Sequence, residues 1–305
     1  MTEPLAFWNG TFVPQSQARL ALNDAGFVWG ATVTDLCRTF RHRLFRLEDH
    51  LARFRRSCTL ARVPQPLDED RLAEIARELV DHNARLLAPG QDLALVLFAT
   101  PGEVGYYLGR PGGPGDGPPT LGLHTFPLPF ARYARLFREG ARLIVPATRH
   151  VPPACVPPQV KQRSRLHWWL AEQEAQAADP RASALLLDPE GYVTETAAAN
   201  VLLVRGGRVL TPARRRVLDG VSLRVAEELC AALGIPFAEA DLRADDLAAA
   251  DEVMLASTPY CLAPVSRING EPVPTPGPVF ERLLSAWSAA VGVDIRRQIL
   301  DAPGA

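Results

Sequence analysis

Lysine is almost missing from this 305-residue chain. Lys161 is the single lysine among 33 basic residues, and all the others are arginine. Excess charge of either sign is missing too: the formal net charge is −1 and the arginines are scattered. That excludes nucleic acid as the main partner, because phosphate binding needs a concentrated basic surface. No apolar run approaches the ~20 residues that cross a bilayer. The start, "MTEPLAFWNGTF", has no charged-then-apolar signal pattern, so no membrane partner is expected. The five cysteines (Cys37, Cys58, Cys155, Cys230, Cys261) are odd in number and far apart. Such spacing excludes a disulfide scaffold and offers no metal ligand set. A cytoplasmic, thiol-reduced protein without a metal is the simplest reading.

The lone lysine gains meaning from this background. A GC-rich genome drifts from Lys to Arg wherever charge alone matters, so a retained lysine points to chemistry that Arg cannot do. Arginine stays protonated and is no nucleophile. Lysine has a primary amine whose pKa can fall and which condenses with aldehydes. The question is why it stands in "PPQVKQRSRLHWWL".

What is present is a globular pattern, 47% apolar and 22% charged, long enough for one large or two moderate domains. "LAFWNGTFVP" predicts a hairpin at Asn9-Gly10, and "TDLCRTFRHRLFRL" two strands joined near His42. "EDHLARFRRSCTLARV" and "LDEDRLAEIARELVDHNARLL" predict amphipathic helices. "DLALVLFAT" and "LGLHTFPLPF" predict strands. Between them, residues 101–119 are too rich in Gly and Pro for regular structure. A break falls at 126–136, giving domains 1–125 and 137–305. The second is dense in strands, with helices predicted near 163–178, 221–233 and 278–291. Its turns fall at Pro189-Glu190-Gly191, Gly206-Gly207 and Asn269-Gly270.

Four features of the second half go together. Lys161 follows a proline-rich approach and precedes a helix in which Trp168 and Trp169 read as core. Taken alone, it could be an ordinary surface lysine. Glu195, in "YVTETAAAN", either is exposed or holds positive charge on a buried heterocycle nitrogen. Gly220-Val221-Ser222 open a helix with Gly234 as its C-terminal cap, and a helix start is an anion site. Ser257-Thr258 end a strand with hydroxyls that can reach a phosphate. An amine, a carboxylate and an anion cradle are the three groups that pyridoxal phosphate needs.

The same residues resemble the class IV, or fold-type IV, aminotransferases, a family that includes branched-chain and D-amino acid aminotransferases and aminodeoxychorismate lyase. The likeness runs through "LFRLEDHLARF", "VKQRSRL…LAEQEA", "ALLLDPEGYVTETAAANVLLV", "VLDGVSLR" and "ADEVMLASTPYCLAPVSRING". It implies an α/β (α+β) fold with a small N-terminal α/β domain. The larger C-terminal, cofactor-binding domain would have a barrel-like β-core, and the enzyme would be a homodimer. It also implies roles. Lys161 is the Schiff-base lysine and general acid/base, and Glu195 is the partner of the pyridine nitrogen. Arg53, Gly220, Val221, Ser222 and Thr258 are the phosphate contacts, and Leu218 is the residue against the ring face. The implied reaction moves an amino group from an amino acid or amine to a 2-oxo acid. The runner-up is a lyase of the aminodeoxychorismate type that releases pyruvate.

The substrate side departs from the family pattern. Thr34 and Asp35 stand where branched-chain and D-amino acid enzymes usually have an aromatic and Glu. "ATPG" replaces the Arg-Gly pair of D-amino acid enzymes, which leaves Tyr106, Arg149 or Arg110 as substitutes. Pro259 and Tyr260 replace small residues near Thr258, and proline has no N–H to donate. Thr34, Asp35, Tyr106, Arg149 and Tyr260 are therefore the substrate-side candidates.

Overall fold

The computed structural model of the chain describes residues 3–305, which form two compact units. One runs to Leu128 and takes in Val160–Ser164; the other comprises Pro129–Gln159 and Arg165–Ala305. The expected division by chain order put everything beyond residue 137 in one domain. The five residues around Lys161 instead pack with the first unit.

The first unit contains β1 (Leu5–Trp8), β2 (Thr11–Pro14), α1 (Ala25–Val28), β3 (Val33–Phe40), β4 (Arg43–Leu44), α2 (Leu47–Ala61), α3 (Glu69–Ala84), β5 (Leu93–Thr100) and β6 (Thr120–Pro127). The strands make one antiparallel sheet in the order β2-β1-β6-β5-β3-β4. Asn9 and Gly10 turn the first hairpin with φ of 47° and 101°, as the Asn-Gly signal predicts. Arg41 and His42 (φ 49° and 64°) turn the second. Helix α2 carries two buried stripes. The apolar one, Leu47, Leu51, Phe54 and Cys58, packs with Ile75 and Leu79 of α3 and Leu95 and Leu97 of β5. Each such Leu or Phe contributes about 1.5–3 kcal/mol of burial. The second stripe, His50, Arg53 and Ser57, is buried and polar.

The second unit contains α4 (Phe130–Glu139), β7 (Ala141–Ile144), α5 (Leu166–Ala178), β8 (Ala182–Leu187), β9 (Val193–Thr196), β10 (Asn200–Arg205), β11 (Arg208–Pro212), α6 (Val221–Ala232), β12 (Phe237–Ala240), α7 (Ala244–Ala248), β13 (Glu252–Ser257), β14 (Cys261–Ile268), β15 (Glu271–Pro272), α8 (Pro278–Val291) and α9 (Ile295–Leu300). Its sheet runs β12-β11-β10-β13-β14-β7-β8-β9, and a further pairing of β9 with β10 closes six of these strands into a ring. This is the barrel-like core. The closing pair is Glu195 with Asn200. Inner strands are apolar runs, such as Val201–Val204 and Val253–Ala256, because both of their faces are covered.

Two readings of the sequence change. The expected linker 126–136 is the end of β6 and most of α4, whose Phe130 and Ala134 are buried. Trp168 packs in the core at 8% exposure, but Trp169 lies on the outer face of α5 at 62%. Adjacent residues on a helix point about 100° apart, so both cannot face one core.

Candidate active site

In the first unit the site residues collect along the start of β3. β4 pairs only with Thr39 and Phe40, so that edge of β3 is open near its start. The Lys161 segment fills it. The Thr34 amide donates to the Lys161 carbonyl, and the Arg163 amide to the Thr32 carbonyl, both at 2.9 Å. Val33 and Gln162 make a β-bridge there. The Lys161 amide donates to Ser57 Oγ of α2 at 3.1 Å. Lys161 is thus placed by backbone contacts from both sides.

One helical turn from Ser57 lies Arg53. Its Nε donates to Asp35 Oδ2 and its Nη2 to Asp35 Oδ1, each at 2.8 Å. His50 Nδ1 lies 2.7 Å from the same Oδ1 and donates to it, since a carboxylate can only accept. Burial alone would raise the Asp35 pKa. The Arg53 charge and the hydrogen bonds from His50 and Arg53 overcome it and hold Asp35 well below the ordinary carboxylate range. Burial pushes His50 down, so it is neutral at pH 7 and the ion pair is Asp35 with Arg53.

This arrangement corrects one expectation. Asp35 has no exposed surface, and its carboxylate is committed to Arg53, His50 and the Leu36 amide. A substrate group has no way to reach it. Thr34 spends its hydroxyl on the Leu97 carbonyl at 2.8 Å. Tyr106 stands half exposed in a 3-10 turn (105–108), its ring 4.5 Å from that of Tyr107. The base of loop 101–119 is anchored, with the Val104 amide on the Asn23 carbonyl and Thr120 Oγ1 on Asp24.

In the second unit the remaining residues are linked to one another. Glu195 ends up on the closing strand β9, its side chain 12% exposed. Asn200 Nδ2 donates to its Oε2 and the Leu218 amide to its Oε1, each at 3.2 Å. His150 Nε2 lies 3.9 Å from Oε1, while His150 Nδ1 is 2.9 Å from the Val151 carbonyl, which it can only donate to. Two residues past Leu218, Gly220 is the N-cap of the 12-residue helix α6 and offers no side chain to the first N–H groups. Val221 and Ser222 are its first two residues, both buried. A Cβ on Gly220 would come within 2.0 Å of Asn200 Oδ1, so a side chain there would have to displace the Asn200 carboxamide. Strand pairing puts Ala256 beside Asn200, and Ser257 Oγ donates to the Ala198 carbonyl at 2.6 Å. Thr258 follows in the turn that Cys261 closes at φ 64°.

Two further substrate-side candidates belong to this unit. Tyr260 is buried at 6% exposure, its ring 5.5 Å from Tyr133 and its side chain hydrogen-bonded to Ser257. Burial pushes its hydroxyl pKa far up. Arg149 is exposed and donates to the Pro146 carbonyl at 3.1 Å.

The sequence reading missed Asn200, His150 and His50. Asn200 stands inside the quoted "TETAAAN", and His50 lies three residues before Arg53. Asn200 matters through partners 5 and 18 residues away, His50 through one 15 away and His150 through Glu195, and no spacing rule marks these.

The chain matches the Amino-transferase class IV family over residues 32–268, and it belongs to that family. It is a transaminase that uses pyridoxal 5'-phosphate. A D-alanine aminotransferase of Bacillus licheniformis is 26% identical over 288 residues, covering 93% of this chain and 96% of the relative. A Methanocaldococcus jannaschii protein, provisionally named a branched-chain-amino-acid aminotransferase, is 28% identical over 265 residues, 87% of this chain and 88% of the relative. Among solved structures, the T.th. branched-chain amino acid aminotransferase complexed with N-(5'-phosphopyridoxyl)-L-glutamate superposes with a TM-score of 0.83. It is 26% identical, covering 96% of this chain and 95% of that one. These relatives are all aminotransferases, and none of them favours the lyase reading.

The residues present fit the cofactor in kind. They offer one primary amine, a largely buried carboxylate held by two donors, and an uncapped helix start at a glycine packed against Asn200. No helix among the described residues is long and apolar enough to cross a membrane.

Proposed function

We propose that the chain transfers an amino group between an amino acid and a 2-oxo acid, with Lys161 as the reacting amine. When bound, pyridoxal phosphate supplies an aldehyde that exchanges amines and a ring that accepts electrons. Lys161 Nζ would hold the cofactor covalently and would move a proton at the substrate α-carbon as general acid/base. The Glu195 carboxylate would keep a ring nitrogen protonated. Arg53, the α6 start at Gly220, Val221 and Ser222, and Thr258 would hold the phosphate, with Leu218 as the apolar ring contact. Asp35 and His50 hold the Arg53 guanidinium in one orientation.

The observation that carries this reading is the placement of the only lysine. It is pinned by backbone bonds on both sides, one residue from the strand edge that leads to the Asp35–Arg53 pair. Thr34 and Arg149 remain candidates for the substrate side, and Tyr106 joins them from the anchored loop. The resemblance further supports a homodimer. So do the exposed Leu22, Phe27, Trp29 and Tyr107, which a monomer would leave in water. That none of the five cysteines is in a disulfide among the described residues supports a reducing, cytoplasmic setting.

The test is spectroscopic. Purified holoenzyme should show a visible cofactor band that L- or D-amino acids convert and 2-oxo acids restore. Lys161→Ala should bind cofactor without that band. An unchanged band in Lys161→Ala would refute the assignment of Lys161.

A further inference from the structure

We propose that Asn200 is a positioning residue, whose single buried carboxamide fixes both the Glu195 carboxylate and the start of α6. The inference rests on the reading of Glu195 and of the α6 start as cofactor contacts. Asn200 is 5% exposed and sits where the barrel closes, paired by its backbone with Glu195 on one side and Ala256 on the other. Its Nδ2 donates to Glu195 Oε2 at 3.2 Å and to the Leu218 carbonyl at 2.9 Å. Both partners accept only, so the amide nitrogen must face them, and its two hydrogens are both used. Its Oδ1 then lies over Gly220, at the place a Cβ would need.

Two segments, Glu195 on β9 and the Leu218–Gly220 approach to α6, therefore meet at one side chain. The carboxylate is held on β9, the backbone at Leu218 is drawn toward it, and the α6 start lies so close that a Cβ at Gly220 would have to displace the Asn200 carboxamide. The Leu218 amide returns a bond to Glu195 Oε1, which makes the connection reciprocal. A buried amide with every hydrogen satisfied is rigid, and this rigidity lets a carboxylate and a helix start keep a constant separation. His150, 3.9 Å from Oε1, is the titratable group facing the carboxylate from the other side.

The experiment uses the holoenzyme and reads two quantities: the cofactor dissociation constant and the pH midpoint of the visible band. Asn200→Ala should weaken cofactor binding about tenfold or more, the scale of a lost hydrogen bond to a charged group. It should also raise the midpoint, because the Glu195 charge loses a donor. Asn200→Asp keeps the shape but puts a second acceptor beside Glu195, so it should raise the midpoint further. A space-filling role predicts that Asp behaves as wild type. Gly220→Ala should weaken cofactor binding in the wild-type background but add less than about threefold to Asn200→Ala, since the colliding atom is then gone. If Asn200→Ala fails to fold, Asn200→Ser carries the same comparisons. A wild-type-like Asn200→Asp, or a Gly220→Ala loss of equal size in both backgrounds, would overturn the inference. Glu195→Gln separates the two levels. If it leaves the band and its midpoint untouched, the reading of Glu195 fails and this inference with it. If it alters them while Asn200→Asp does not, only the role of Asn200 fails.

Discussion

Arg53 and Asp35 are joined at two points, Nε to Oδ2 and Nη2 to Oδ1, with side-chain exposures of 3% and 0%. The bidentate geometry fixes the plane of the guanidinium, which a lysine in its place could not reproduce. The pair costs desolvation, so removing one member is worse than never having had either. Asp35→Asn should therefore destabilise the protein by about 3–5 kcal/mol in denaturant melts at pH 7. The sign with pH follows from the depressed carboxyl. Its contribution is present above the unfolded value of 3.8 and is lost only as pH falls below it. Asp35→Asn should accordingly flatten the acid end of the stability profile, and a parallel profile would contradict the ion pair.

His167 should make the enzyme acid-sensitive in a window at higher pH. Burial, then the charges of His150 and Arg165, push it down to about 4 from its ordinary 6.5. Between those values the unfolded chain binds a proton that the folded chain refuses. Stability is complete above about pH 6.5 and falls toward pH 4. His50 and His150, also pushed down by burial, act in the same direction. His167→Gln should reduce the slope of urea midpoints between about pH 4 and 7 without abolishing it; an unchanged slope would remove His167 from the account.

Thiol labelling should find one accessible cysteine. Cys155 is exposed, whereas Cys37, Cys58, Cys230 and Cys261 are buried. Burial pushes Cys58 and Cys230 up to about 11, so little thiolate exists at about pH 8. Mass spectrometry after brief alkylation should show one adduct on the folded chain and five after unfolding. Rapid labelling of Cys58 in the native state would contradict the packing of α2.

Lys161→Arg should separate charge from chemistry. The contacts that hold residue 161 on β3 and α2 are made by its backbone, so the fold should stay within about 0.5 kcal/mol of wild type. Transamination should be lost, because a guanidinium forms no imine at neutral pH. Residual turnover near the wild-type rate would show that Lys161 supplies only charge.

Local signals in the sequence were legible wherever one element carried its own evidence. Asn9-Gly10 turns a hairpin because few residues adopt positive φ. Of the helically spaced Leu51, Phe54, Cys58 and Ala61 of α2, the first three form a buried face because of their period, while Ala61 is exposed. Gly234, at φ 65°, follows α6 as its cap. The helix of the expected linker, α4, was hidden because "LPFARY" reads as a connector, and its buried face finds partners only in the folded unit. Asp35 was misjudged for the same kind of reason. A polar residue in a strand looks like a pocket residue until a guanidinium from a helix is seen to cover it.

By itself, the sequence determined which chemistry was available. Only one amine was kept, and its family motifs marked a carboxylate and a glycine-led helix. Tertiary structure decided how those groups are held. Asn200 reaches Glu195, Leu218 and Gly220 together because the barrel closes between β9 and β10. Lys161 joins β3 because β4 stops short. Each brings in a partner distant in sequence, Leu218 to Asn200 and the Lys161 segment to β3, chosen by the burial and hydrogen bonding of the whole unit and not by any local pattern.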